Sequence, residues 1–354
     1  MLLATAIDCR LPMTTIFNQE DIERKILLIL RVLQETGEPT GARLIARRMK
    51  DYGVALSERT VRYHLKIMDG RGLTRLVGRR DGRVITDRGV EEIADGRVRD
   101  KLGMSVSRIE VLAFRTTLDP HKKAGLLPMN VTFLPKSRFR EALEAMKPAF
   151  KAGICVSDLV FTADEGSRMG DLVVPEGCVG FATVCSVVVN GVLLKHGVPM
   201  DSKFGGILQV KDGKPLRFVE LIYYSGSSLD PSEVFIMARM SSVRTAAEQG
   251  EGKVLANFRE IPTVSRELVD RIITNLRLIG IGGVLSLGEL SEPICQVPVD
   301  VNKLGMILYG GLNPVCCAHE AGIETVNRAM STILDYDALR PFAEVCREAA
   351  GRRK

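Results

Sequence analysis

The stretch Ser57-Glu-Arg-Thr-Val-Arg-Tyr-His-Leu-Lys-Ile-Met68 carries the densest chemistry in the chain. Arg59, Arg62, Tyr63 and Lys66 recur at helical spacing and form a cationic stripe with one aromatic ring. Val61, Leu65 and Met68 form an apolar stripe on another face. Ser57 is placed to cap such a helix, and Glu58 suits the positive end of its dipole. A helix that buries one stripe and offers cations on the other fits a DNA major groove, although an ordinary solvated helix face has the same pattern. Other reactive residues form no complete site. Cys316, Cys317 and His319 lack common zinc spacing, and none of the eight cysteines forms a C-x-x-C pair. Cys185 lies in an apolar stretch where a packed, inert thiol is expected. The Gly205-Gly206 and Gly310-Gly311 pairs belong to no complete phosphate-loop signature. No metal, cofactor or catalytic residue is expected.

The elements around Ser57–Met68 favour DNA binding. A first helix is predicted over Glu20–Glu35, with Ile22, Ile26, Ile29, Leu30 and Leu33 on one face. Thr40 is expected to cap a second helix, about Gly41 to Tyr52, that buries Leu44, Ile45 and Met49 and exposes Arg43, Arg47, Arg48 and Lys50. Leu73–Val77 and Arg83–Ile85 alternate as strands around the turn Gly78-Arg-Arg-Asp-Gly82, and Thr86-Asp87 opens a last short helix. Three helices and a hairpin form a winged helix-turn-helix, predicted over residues 20–95, with Arg79, Arg80 and Arg83 directed at phosphate or the minor groove. Between Pro39 and Thr86 there are twelve Lys/Arg against four Asp/Glu, an excess of eight that exceeds the whole chain's +6. A basic head on a nearly neutral body is a nucleic-acid-binding layout.

The 354 residues, 45% hydrophobic and 26% charged, have a soluble composition and room for two or three domains. Apolar runs are too short for a membrane span, and scattered cysteines fit a reducing cytoplasm. Met1 and Met13 are both candidate starts, and the first residues are no convincing signal peptide.

Beyond the charged joint Asp95–Gly103 the sequence reads as an α/β domain. Strands are predicted at Met129–Phe133 and Val179–Val189. A hairpin is predicted from Gly205–Val210 and Leu216–Tyr223. Helices are expected at Ser137–Lys151, capped by Ser137, at Arg266–Ile279 and at Pro341–Ala350. An internal repeat of two half-domains is read from Arg140…Asn190…His196 and Arg266…Asn313…His319. The arginine-to-asparagine spacings are 50 and 47 residues, and asparagine to histidine is six in both. Two such halves would face each other across a ligand cleft.

Several longer motifs follow in order: Thr183-Val-Cys-Ser186, Asn190-Gly-Val-Leu-Leu, Gly197-Val-Pro-Met, Lys203-Phe-Gly-Gly206, Ser228-Leu-Asp-Pro231, Ala256-Asn-Phe-Arg-Glu-Ile-Pro262 and Gly310-Gly-Leu-Asn-Pro314. They resemble the regulatory domain of the archaeal NrpR-type nitrogen repressors, expected here over residues 106–335. The resemblance implies a homodimeric transcriptional repressor of nitrogen-assimilation genes. It implies release from operator DNA by 2-oxoglutarate, and work beside a second NrpR-type chain that contacts the basal transcription machinery. A co-regulator acting through such a partner is the alternative reading, and a cysteine-dependent enzyme a more distant one. A dicarboxylate effector needs cations and neutral donors. Among the residues of these motifs and their flanks, Arg259, Lys195 and Lys203 could supply the first, and Thr183, Ser186, Asn190 and Asn313 the second. Arg259 could instead pair with a neighbouring acid, and Asn313 could hold a turn.

Overall fold

The structure is a computed structural model and describes residues 13–78, 81–95 and 104–351. The chain divides into two compact units, Met1–Lys101 and Leu102–Lys354.

The first unit is a winged helix. Helices α1 (Met13–Thr36), α2 (Ala42–Met49) and α3 (Glu58–Gly70) precede the antiparallel hairpin β1 (Thr74–Gly78) and β2 (Gly82–Ile85), and α4 (Asp87–Asp95) closes it. Its core holds Ile26, Ile29, Leu30 and Leu33 from α1, Ile45 and Met49 from α2, and Val61, Leu65 and Met68 from α3. The helical apolar periodicity therefore falls inward as expected. Ser57 caps α3, its Oγ accepting from the Thr60 amide at 3.1 Å. Thr86 caps α4, accepting from the Gly89 amide at 3.1 Å. Thr40 does not cap α2; Gly41 stands at that position. Thr40 instead pairs with Arg83, its amide donating to the Arg83 carbonyl at 2.9 Å and the reverse bond measuring 3.0 Å. This bridge brings backbone so close to Gly82 (φ +100°) that a Cβ there would lie 2.3 Å from the Thr40 carbonyl carbon. Arg48 is buried, not exposed, with Glu35 4.0 Å away.

The second unit begins with α5 (Met104–Arg115) and builds two five-stranded antiparallel sheets. One stretch of chain runs β3 (Leu126–Pro135), α6 (Phe139–Lys151), β4 (Leu159–Ala163), the short pair β5 (Arg168–Met169) and β6 (Leu172–Val173), β7 (Cys178–Val184), then α7 (Val187–Lys195). The hairpin β8 (Asp201–Lys211) and β9 (Lys214–Tyr223) follows, then α8 (Pro231–Met237) and α9 (Val243–Gln249). The later stretch runs β10 (Gly252–Pro262), α10 (Arg266–Leu278), β11 (Val284–Leu287), β12 (Lys303–Tyr309) and α11 (Asn313–Glu320). It ends with β13 (Val326–Asp335), β14 (Arg340–Pro341) and α12 (Phe342–Gly351). The sheets are ordered β13-β3-β7-β4-β14 and β11-β12-β10-β8-β9. Thus β8, which follows α7, pairs with β10, and β13, which follows α11, pairs with β3. Each stretch hands its next long strand to the other's sheet.

Two large apolar clusters fill this unit. One joins α6 and α11 to β8 and β10 through Leu143, Met146, Val315, Ile207 and Phe258. The other joins α7 and α10 to β3, β7 and β12 through Val188, Val192, Ile272, Met129 and Met306. The expected strand Val179–Val189 is corrected: it stops at Val184, and Val187 begins a helix. Residues Val187–Leu193 are buried all round that helix, so no polar face marks its period, and β-branched residues imitate a buried strand. Ser137 caps nothing; Pro135 precedes a 3₁₀ turn, Lys136–Arg138, before α6.

Candidate functional site

In the winged helix, Arg59, Arg62, Tyr63 and Lys66 are all exposed on α3, opposite its buried stripe. Tyr63 leaves 59% of its surface in solvent. Arg62 is ion-paired with Glu58 one turn earlier. This pair is exposed and contributes little, so the guanidinium is available to phosphate or a base edge. Arg83 is a correction. Its Nε donates to Asp69 Oδ2 at 2.8 Å and Oδ1 at 3.1 Å, and Thr74 Oγ1 donates to the same Oδ1 at 2.6 Å. It ties the hairpin to α3 rather than projecting from the tip. Arg79 and Arg80 lie outside the described residues.

In the second unit, Arg259 sits on β10, 1% exposed. One Nη donates to the Ser186 carbonyl at 3.1 Å and to Asn190 Oδ1, and lies 3.7 Å from Met200 Sδ. The other Nη donates to Ser186 Oγ at 2.9 Å, and Nε has no partner. Among the described residues no carboxylate lies within ion-pair distance of it. Burial lowers its affinity for its proton, yet a guanidinium stays charged. A buried cation matched only by neutral groups is costly to hold and is complementary to an anion.

Arg259 lines a cavity of about 20 Å³. Ser186 and Asn257 line it too, as do Asn130, Tyr224, Asp230 and Gly311. Asn257 Nδ2 donates to Ser186 Oγ at 3.2 Å, and Tyr224 donates to Asn257 Oδ1 at 2.5 Å. Across the cavity, Asn130 Oδ1 accepts the Met330 amide at 3.0 Å, where β13 breaks register and Met330 takes φ +50°. A positive φ in a non-glycine residue is backbone strain, here beside a cavity. Ser186 and Gly311 precede the first turns of α7 and α11, so two helix N-termini meet at this point. Burial pushes the carboxyls of Asp230 and Glu233 up, Glu233 to about 7, although Asp230 also accepts from the Ser232 and Glu233 amides.

The other residues expected at an effector site divide. Ser186 and Asn190 both contact Arg259, and Asn190 also donates to Ser202 Oγ at 3.0 Å. Thr183 is buried near the cavity, its Oγ1 3.5 Å from Asn130 Nδ2. Lys195 lies elsewhere: its ammonium donates to the Phe114 carbonyl at 2.9 Å and sits over the Phe114 ring. Lys203 is held by Asp201 and Asp300 at 2.8 Å and Glu260 at 3.2 Å. Burial opposes its charge, but these acids raise its proton affinity, so its charge is already met. Asn313 bonds both ways with the Leu255 backbone, at 2.8 and 2.9 Å, and fastens β10. It opens α11, whereas Asn190 lies inside α7, so the two are not equivalent. Asn130 and Asn257 are the asparagines that share the cavity. They were legible as Asn130…Pro135 and Asn257…Pro262, each proline ending a strand.

Cys155, Cys185, Cys316 and Cys317 are buried, which disfavours their thiolates. Burial raises Cys185 to about 11, Cys155 and Cys317 to about 12, and Cys316 well above its usual range. Among the described residues no group of His, Cys, Asp and Glu could hold a metal, and no helix is long and apolar enough to cross a membrane.

Comparison with known proteins identifies this arrangement. The family described as NrpR regulatory domains NRD1 and 2 matches residues 102–341, and the Ribonuclease R winged-helix domain matches residues 27–93. The global nitrogen regulator NrpRI of Methanosarcina mazei is 40% identical over 90% of this chain and 98% of its own. The global nitrogen regulator NrpR of Methanocaldococcus jannaschii is 31% identical over 94% of this chain, which spans only 58% of that longer relative. A crystal structure of a nitrogen repressor-like protein from Methanococcus jannaschii superposes with a TM-score of 0.57 at 28% identity, covering 67% of this chain and 98% of that one. With a winged helix joined to a matching regulatory domain, the chain belongs to the NrpR family of nitrogen regulators.

Proposed function

We propose that this protein is a homodimeric repressor of nitrogen-assimilation genes that leaves its operator when 2-oxoglutarate binds the Arg259 cavity. The observation that carries the effector site is the buried Arg259 guanidinium, which has no acid partner among the described residues. A carboxylate there gains a charge-assisted pair in low dielectric. Ser186, Asn130 and Asn257 supply neutral bonds for the remaining oxygens. Burial raises the proton affinity of the Asp230 carboxyl in the same lining, while the Ser232 and Glu233 amides that it accepts act the other way. No covalent step is required, so the protein acts by binding and not as an enzyme.

The two stretches β3–α7 and β10–α11 are read as two copies of one unit that exchange the strands β8 and β13. On this reading the cavity lies on the axis between them, with Asn130 and Asn257 as symmetry mates. Dimerisation is inferred from the single head, since two winged helices on a palindromic operator double the contacts. A second NrpR-type chain and the basal transcription machinery are further expected partners. The test is an operator shift assay with and without 2-oxoglutarate. Operator binding that the effector abolishes supports the reading; a shift that saturating effector leaves unchanged refutes it.

A further inference from the structure

The cavity at Arg259 has room for about one water, so a dicarboxylate enters only if a wall moves. Most of the walls are fixed. Asn130 and Asn257 lie on inner strands of the sheets, and Ser186 and Gly311 precede buried helices. Of the other lining elements, α8 and β13 belong to the first large cluster through Phe235 and Ala329, whereas α5 contributes only Ile109.

Helix α5 packs chiefly on α7. It belongs to neither large core. Its Ile109, Leu112 and Ala113 pack on a separate small cluster with Cys185, Val187, Tyr224 and Met330. Its outer face leaves Phe114 70% exposed. Its C-terminal end is pinned by the Lys195–Phe114 bond and by Thr116, which lies so close to Gly191 that a Cβ there would be 2.3 Å from it. Near its N-terminal end, the Ser105 hydroxyl donates to the Leu229 carbonyl at 3.2 Å. Arg108 precedes Ile109, and its charge favours the ionised forms of Asp230 and Glu233. In sequence, α5 follows directly on the segment that joins the winged helix.

We propose that α5 is the movable wall of this cavity. A ligand that fills the cavity lifts the N-terminal half of α5 about its Thr116 end, the half that is nearer in sequence to the winged helix. This rests on the effector reading above. The ligand drives the change by binding the lifted form more tightly than the closed one.

Hydrogen–deuterium exchange on the full chain tests it, with 2-oxoglutarate binding measured by calorimetry on the same sample. Amides of α5 are expected to exchange about tenfold faster with ligand, while β3 and β10 do not. Heat of binding with unchanged or slowed exchange in α5 overturns the inference. Absence of heat overturns the effector reading, and this inference with it.

Discussion

Asn130 and Asn257 stand at the same step before a strand-ending proline, Pro135 and Pro262, and their side chains meet at one cavity. Two positions further along, the strands differ. β10 carries Arg259, whereas β3 carries Thr132, whose hydroxyl donates to Asn327 Oδ1 at 2.9 Å. The cavity is therefore matched in its amides and one-sided in its charge. One cation fixes one orientation of an anionic ligand.

Replacing Arg259 tests that charge. Arg259→Ala is expected to bind operator normally and to lose about 1.5–3 kcal/mol of 2-oxoglutarate affinity, the range for a hydrogen bond to a charged group. Calorimetry reads the loss. An unchanged affinity in a variant that melts as the parent does would remove Arg259 from the site.

On α3, Arg62→Ala is expected to weaken operator binding by about 1–3 kcal/mol if the side chain reads a base edge. Loss of Arg79 or Arg80 should weaken all DNA about equally and flatten the dependence on salt. Fluorescence anisotropy over a salt series separates the two patterns, and operator affinity undiminished in Arg62→Ala would show that α3 does not enter the groove there.

Arg83 has a different expected phenotype. Because it joins β2 to Asp69, Arg83→Ala should lower the head's stability by about 1 kcal/mol while leaving the salt slope intact. A changed slope with an unchanged melting temperature would restore Arg83 to the DNA surface.

The winged helix was readable from sequence because each α3 stripe and each turn glycine is a local signal. Thr40 was misread because its bond to Arg83 joins distant residues, which spacing cannot show. The valine run of α7 was misread because a fully buried helix has no polar face. Arg259 and Ser186, chosen for what a dicarboxylate needs, do touch in the structure. Lys195 and Lys203 met the same criterion, but their charges are engaged elsewhere, a fact that only side-chain geometry contains. Asn130 was missed because its strand offered no charge, although its distance from Pro135 repeats that of Asn257 from Pro262.

Oligomeric state is a further check. Light scattering at micromolar concentration is expected to give a dimer, and operator titration a stoichiometry of two chains per palindromic site. A monomer that binds operator one chain at a time would rule out the dimeric repressor.

Glu233 makes a prediction for pH. Its carboxyl is pushed up from 4.5 to about 7, first by burial and then by Asp230; the Ala329 amide, Arg108 and Arg328 act in the opposite direction. The unfolded chain therefore releases this proton at lower pH than the folded chain does. Stability from neutral Glu233 is fully present below about pH 4.5 and is lost as pH rises through about 7. Glu233→Gln keeps an oxygen to accept the Ala329 amide, bonded at 2.6 Å in the parent, and has no proton to lose. Thermal melts of the full chain between pH 5 and 8 should show a decline in the parent that is smaller in the variant. Equal declines in both would mean that Glu233 is already ionised in the folded protein, its charge met by Arg108 and Arg328.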